Sequence, residues 1–407
     1  MNEQSGYINP AKVLFPLGLG TALSLMGDST LYTVLPTHTA IAGITLASVG
    51  IILGVNRAVR VFLNGPAGLL YDRLPRRRLF IPALFIGALS TAIYAATRGF
   101  WPLLIGRLLW GLAWSGIWVG GVTIIMDVTT AQNRGRWTGL YQTWFYLGAA
   151  SGAFLGGLLT DKIGYTMTMW IGATLTGLGG VAALFLLPET RPTRTDKEIA
   201  SAAASPKLEL RSHRGLWIAT LLQGINRFVV AGVLAATAGL LVQDHLRPAD
   251  AILGVATLTG ALTAGRTLFS MAFAPLAGIT SDWLGSRWRV VAWSLAVGAA
   301  GMVLVSRSTP STILMGLALV AVASSSVQSL VTALAGDLSG QGQRGRAIGL
   351  MHTVGDLGSA IGPPIAYALL PVIGLPGIYL FCAGLFVMGL ILVKVQPTDN
   401  TQEVTND

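Results

Sequence analysis

One pattern occurs twice in this chain, 210 residues apart. Asn133-Arg134-Gly135-Arg136, followed by Gly139, Leu140, Thr143, Gly148 and Gly152, returns as Gln343-Arg344-Gly345-Arg346, followed by Gly349, Leu350, Thr353, Gly358 and Gly362. At the same offset Gly68, Asp72 and Asp127 return as Gly278, Asp282 and Asp337. A spacing held over roughly 85 residues without insertion marks a duplicated unit, so whatever one half folds into, the other must repeat.

The chemistry of the unit sets its solvent. Of the 407 residues 53% are apolar and only 11% charged, where a soluble domain carries about 25% charged residues. Apolar runs recur that are each long enough to cross a hydrocarbon core about 30 Å thick at about 1.5 Å per residue. They fall at 13–36, 44–70, 78–97, 101–126, 137–160 and 165–187, then at 215–243, 251–280, 289–307, 311–336, 345–370 and 374–395. The runs lack the alternation that a barrel's lumen and lipid faces impose. The reading is an all-α polytopic membrane protein with twelve transmembrane helices in two six-helix repeats. Its parts are an N-terminal bundle (1–187), a linker (188–214), a C-terminal bundle (215–395) and a polar tail (396–407).

Orientation follows from the loop cations. With the N-terminus in the cytoplasm, 18 Lys and Arg lie inside and only Arg98, Lys162, Arg247 and Arg307 outside, so both termini are expected to be cytoplasmic. The net charge of +10 is then topological and not a nucleic-acid footprint. Met1 to Pro10 is polar and runs straight into the first span, which does not read as a cleavable signal. A single cysteine, Cys382, excludes an internal disulfide. The linker mixes Pro, Ser, Ala and charge and reads as a tether with one short amphipathic helix on the membrane.

At this point short motifs become informative. "GLLYDRLPRRR" from Gly68 resembles the signature between the second and third helices of the major facilitator superfamily, and "GITSDWLGSRWR" from Gly278 resembles its second copy. "GRLLWGLAWSG" from Gly106, "GAASGAFLGG" from Gly148 and "LPET" from Leu187 are similar to the fourth-, fifth- and sixth-helix motifs of the twelve-helix drug/proton antiporters. The chain departs from those patterns at Pro75, Trp283 and Ala153. The resemblance implies a major facilitator fold and alternating access. It further implies a gating motif of Gly68, Asp72, Arg73, Arg76, Arg136, Gly278, Asp282 and Arg346, with Asp72 latched to a helix end or to Arg134 or Arg136, and a role in proton handling for Arg107.

Ionisable residues inside the spans point to the pathway, because a charge in hydrocarbon is costly unless it meets a cavity or a partner. They are Asp28, Arg57, Arg60, Arg107, Arg227, Arg266, His352 and Asp356. Asp28 has no basic neighbour in sequence and reads as a proton carrier; the alternative is an acid satisfied by Ser24 or Thr30. Arg57 and Arg60 share a helical face beside Asn56. Gln223, Asn226 and Arg227 form a polar patch, and His352 with Asp356, four apart, a possible relay. Five arginines against two aspartates leave a surplus of three positive charges, which calls for an anion. By depth counting, Asp356 and Arg60 lie level, so they are expected to pair when the halves close towards the cytoplasm, with Arg57 as the poorer match.

Trp110, Trp114 and Trp118 repeat every four residues, a stripe that serves packing or else an apolar wall for a ligand; Gln142 and Tyr146 belong to the same candidate pathway. No GxxxxGK[ST] loop is present, so ATP hydrolysis in this chain is not expected. The expectation is a secondary transporter of the cell inner membrane that exports amphipathic or anionic compounds by proton coupling; the alternative is uptake or facilitated transfer of an organic anion. A receptor or an intramembrane enzyme fits less well, since an enzyme concentrates its nucleophile and base in one place and these polar residues spread over many spans. Expected partners are a small-molecule substrate, protons and the bilayer, with no nucleic acid, cofactor or metal, and the chain is expected to act as a monomer.

Overall fold

The computed structural model describes residues 8–130, 132–191, 214–247, 252–339 and 344–395. Most of the linker and the whole tail therefore lie outside the described residues, and with them the expected amphipathic helix. The first six long helices are α1 Pro10–Val34, α2 Leu46–Arg73, α3 Arg76–Ala96, α4 Phe100–Asp127, α5 Arg134–Ile163 and α6 Tyr165–Leu186. The last six begin with α7 Arg214–Leu246, α8 Val255–Trp283, α9 Arg287–Ser306 and α10 Pro310–Asp337. The stretch Arg344–Lys394 is helical except at Gly374 (φ 63°, ψ 179°), which divides it into α11 (344–373) and α12 (375–394). Among the described residues nine stretches are long and apolar enough to cross a membrane, counting the last as one. The more polar α5 and α8 complete the set, and every expected span falls on one of the twelve helices.

Local chemistry explains the ends. Asn9 accepts from the Ala11 N–H at 2.9 Å and Pro10 opens α1, where its missing N–H costs nothing. Gly164 joins α5 to α6 in one step at φ 84°, a conformation that a side chain would oppose. One helix is irregular: α7 is π-helical over Arg227–Leu234 and again over Val242–Leu246. Such segments displace backbone hydrogen bonds and leave carbonyls open to other donors.

Within the first half α1 packs on α5 and α6, and α4 on α2 and α3; in the second, α8 and α9 pack on α10 and α7 on α11. The halves meet mainly through two pairs, α2 with α11 and α5 with α8. The 210-residue offset exchanges these pairs, so the interface is pseudo-symmetric. Contact is tight towards the end where α2 and α8 begin. There Gly50 and Gly54 face the backbone of Pro363 and Ala360, while Gly157 and Gly260 face that of Ala256 and Ala153. Small residues let helices approach closely where packing, not water, drives association. At the same end Asp161 caps α8 from the other half, accepting from the Thr257 N–H and hydroxyl at 2.6 Å each.

The opposite end carries the Arg-rich loops, and here the halves part. A Cβ added at Gly65, Gly68, Gly139, Gly278 or Gly349 would meet nothing within 4 Å. The molecule is thus closed at one end and open at the basic end.

Candidate functional site

Two buried ion pairs lie at mid-depth. In the first, Arg107 on α4 donates through Nη1 to Asp28 Oδ1 on α1 at 2.5 Å and through Nε to the Ile52 carbonyl on α2 at 3.2 Å. Arg107 is fully buried, and its other terminal nitrogen has no hydrogen-bond partner. Tyr32, one turn beyond Asp28, organises the surroundings. Its hydroxyl donates to the Leu53 carbonyl at 2.7 Å and lies 3.2 Å from Asn56 Oδ1, and its ring centroid is 5.0 Å from the Arg107 guanidinium and 4.9 Å from that of Arg57. Aromatic faces of this kind stabilise guanidinium charge where water is scarce. The expectation of an isolated Asp28 is therefore corrected: separation along the chain concealed a partner supplied by another helix.

The second pair joins the halves. Arg60 on α2 donates to Asp356 Oδ1 on α11, and Asn64, one turn on, donates to Oδ2 at 3.3 Å. Arg57 reaches across to the Ala231 carbonyl in the π-helical part of α7 and to the Ser359 carbonyl at 3.4 Å. The expected Arg60–Asp356 pairing is present, but with the basic end open. Arg60 lies near the middle of the 28-residue α2, away from the parted basic end, so this pair does not require that end to close.

Around it stand groups with little to bind. Arg227 lies within electrostatic reach of Asp356, Arg60, Arg57 and Tyr146. Its Nε, both side-chain polar atoms of Gln223 and the Oδ1 of Asn226 are buried without a hydrogen-bond partner, although Asn226 Nδ2 donates to the Ser324 carbonyl at 3.2 Å. Gly355 leaves room for the Gln223 and Arg227 side chains against α11. The expected relay is not formed: the Asp356 carboxylate is held by Arg60 and Asn64, and no hydrogen bond links it to His352. Arg266 on α8 lines a small cleft with residues of α7 and α10 and makes no hydrogen bond or ion pair among the described residues. Gln142 is exposed one turn nearer the basic end than the half-buried Tyr146.

The tryptophan stripe packs. Trp110 and Trp114, only 1% and 6% exposed, stack at 5.9 Å, and Trp114 and Trp118 do the same. Phe145 of α5 sits against Trp114 and Trp118. Trp110 and Trp114 belong to the core of the first half and present no free face to a ligand, which corrects their place in the pathway.

At the basic end the gating motif is partly assembled. Arg76 grips Asp127 with Nε at 2.7 Å and Nη2 at 3.3 Å, and the Thr190 hydroxyl adds a bond at 3.4 Å. Glu189 accepts from the backbone N–H groups of Arg76, Arg77, Thr190 and Arg191 at 2.9 to 3.2 Å. Partial burial pushes its carboxyl up, but those four donors outweigh it and hold it below the ordinary carboxylate range. Asp72 does not form the expected latch. Its carboxylate is exposed and only its carbonyl is used, by Arg191 at 3.4 Å. Arg73, Arg136, Arg346 and Asp282 are also exposed, and the Arg136 guanidinium lies 6.0 Å from the Trp137 ring centroid. With Gly68 and Gly278 facing open space, the latch has nothing to close on in this arrangement.

The family model described as Major Facilitator Superfamily matches residues 17–247 and again 216–406. The chain belongs to the major facilitator superfamily. It is 28% identical to the inner membrane transport protein YajR of Escherichia coli K12 over 56% of this chain, and spans about half (52%) of that relative's length. It is 28% identical to the class C tetracycline resistance protein of E. coli over 62% of each. Among solved structures, a bacterial homolog of the human lysosomal transporter Spinster aligns with a TM-score of 0.74 over 94% of both chains at 16% identity. The protein is thus a multi-pass membrane protein of a transporter superfamily, and that superfamily is not one of enzymes.

For a major facilitator protein the repeat also locates site positions. Asn56, Gln142 and Tyr146 have Arg266, His352 and Asp356 as their counterparts 210 residues on. Sequence reasoning missed Tyr32, Asn64, Asp127 and Glu189 as members of these clusters. Signals existed for three: Tyr32 and Asn64 lie four residues after Asp28 and Arg60, on the same helical faces, and Asp127 is repeated at Asp337.

Proposed function

We infer that this protein is a proton-coupled carrier of small amphipathic anions, working by alternating access in a cell inner membrane with both termini cytoplasmic. One observation carries the reading. Of the five guanidinium groups deep inside the spans, two are paired with carboxylates, leaving Arg57, Arg227 and Arg266 without an ion-pair partner among the described residues. Buried cationic groups without counter-charge favour a ligand that supplies it. The Asp28–Arg107 pair is the proposed proton site, since protonating the acid would free a guanidinium that touches α1, α2 and α4 at once.

Export is supported by the tetracycline resistance relatives. Uptake is favoured by a different observation. An anion entering at Arg60 competes with Asp356, so protonation of Asp356 assists the anion and the two travel together. Proteoliposomes with an imposed pH gradient and labelled carboxylates, sulfonates and neutral analogues decide. Proton-driven extrusion supports the first direction and proton-driven accumulation the second; carriage of neutral analogues in preference to anions defeats the anion reading.

A further inference from the structure

The closed end holds a contact that the repeat does not duplicate. α8 starts at Val255, and its N-cap is Gly254, which has no side chain to accept from the free N–H groups of the first turn. The missing acceptor comes from the other half. Asp161, two residues before the end of α5, accepts from the Thr257 N–H and from the Thr257 hydroxyl at 2.6 Å each. A Cβ added at Gly254 would collide with the Asp161 carboxyl carbon and both its oxygens, so the bare N-cap is what admits the carboxylate. Moving 210 residues along the chain exchanges Asp161, Gly254 and Thr257 for Pro371, Ile44 and Ala47, which offer neither an acid nor a hydroxyl. Between α2 and α11 this end is held by close backbone packing, with Gly50 and Gly54 against Pro363 and Ala360.

We propose that Asp161 is the clasp of the closed end: by capping α8 from across the interface it favours the state open at the basic end and so sets the carrier's resting direction. Any movement that parts α5 from α8 here breaks both bonds and leaves the first turn of α8 without its acceptor. The positive end of the α8 dipole also draws the carboxylate, an attraction that ends with the separation. Asp161 is itself exposed, which keeps the effect at about tenfold in the ratio of closed to open forms, the lower end for bonds to a charged group. A ligand entering at the closed end binds more weakly by a comparable factor, since the state competent to take it is rarer. The clasp presupposes alternating access, as in the proposed function, and no particular ligand or proton.

Opening is read in nanodiscs at Ala153→Cys, a fully buried position roughly two turns deeper in the same seam, in a Cys382→Ser background. A polar thiol reagent labels it at a rate that scales with the fraction of molecules open at this end. Asp161→Ala should label about tenfold faster than the protein with Asp161 intact. Asp161→Asn keeps an accepting oxygen and should stay within about threefold. Gly254→Ser separates a clasp from a cap. The backbone at Gly254 (φ −71°, ψ 165°) suits serine, whose hydroxyl caps α8 from within while its Cβ evicts Asp161. Asp161→Ala/Gly254→Ser should therefore recover any melting temperature that Asp161→Ala loses and still label about tenfold faster.

Labelling of Asp161→Ala at the original rate would overturn the clasp. So would a double variant that regains both the melting temperature and slow labelling, for Asp161 would then be a helix cap and nothing more. Should Asp161→Ala not fold, Gly254→Ser with its own cap decides alone, and labelling at the original rate rejects the clasp. If neither the variants nor the protein with Asp161 intact label at Ala153→Cys, this end does not open, and alternating access falls together with the clasp.

Discussion

The two halves of this transporter share a fold and a repeat but not a charge plan. In the first half two arginines find their acid internally, Arg107 at Asp28 and Arg76 at Asp127, while Arg57 and Arg60 reach to the second half. In the second, Arg227 and Arg266 have no acid of their own, and Asp356 is paired outside its half, with Arg60. At the basic end the contrast recurs. The Arg76–Asp127 pair is buried, whereas Arg287–Asp337 is 32% and 57% exposed. Duplicated backbones fix where a side chain stands, and later substitution decides what it can do there. An ion pair closed within one half, such as Asp28–Arg107, suits proton exchange, because protonation of the acid unbalances it. Guanidinium groups without an acid, Arg57, Arg227 and Arg266, suit an anionic ligand.

The largest expected effect comes from breaking the internal pair of the first half. Arg107→Ala leaves Asp28 without its counter-charge and should cost about 3–5 kcal/mol of stability, seen as a lowered melting temperature in detergent. Asp28→Asn is nearly isosteric and should fold, but proton-gradient-driven transport should be lost. Undiminished pH-driven transport by Asp28→Asn would remove the proton role from the first half. The double variant Asp28→Asn/Arg107→Gln should recover much of the stability and none of the transport, which separates folding from coupling.

Next in size are the effects at the junction. Arg57→Gln should reduce the preference for a sulfonate over its neutral analogue, by about tenfold for one charge-assisted bond. In the unaltered protein, sulfonate binding should strengthen on acidification, up to about tenfold per pH unit for one linked proton. In Asp356→Asn it should be flat. A slope that survives in Asp356→Asn would place the linked proton elsewhere, at the Asp28–Arg107 pair or at His352.

How much of this was legible in the sequence follows from the physics of each signal. Span positions were, because burial in hydrocarbon demands unbroken apolar runs, and Gly374 still separated α11 from α12 where no polar loop intervenes. The Arg60–Asp356 level could be counted from helical rise alone. Which arginine Asp28 meets could not, since α1 and α4 are distant in sequence and their rotation about each other is set by packing. The tryptophan stripe misled for a related reason. Periodicity says that Trp110, Trp114 and Trp118 share a face but not which neighbour that face meets, and here it meets Phe145 of α5. The open basic end was not legible at all, as one sequence serves every state in the cycle.

A smaller difference should separate the two basic-end pairs. Asp127→Asn removes the counter-charge of a buried arginine and should lower stability by about 3 kcal/mol. Asp337→Asn, in an exposed pair, should change it by less than about 1 kcal/mol. Equal losses would mean that the halves are not as unlike at this end as their burial suggests.

The smallest expected effect concerns Glu189, which ties the start of α3 to the end of the first half. Its folded-state carboxyl is held below the ordinary value of 4.5, so the charged form is favoured by folding. The sign follows from that direction: the stabilisation is fully present above about pH 4.5 and is lost as pH falls through the lower folded-state value. Glu189→Gln should therefore melt slightly lower than the unaltered protein at neutral pH, and the two should converge as the pH is taken below about 4. Because the group is largely solvated, the neutral-pH gap should be the smallest of the series. A gap that persists unchanged into acid would mean that Glu189 acts through the shape of its four backbone bonds and not through its charge, since glutamine keeps one accepting oxygen in place of two.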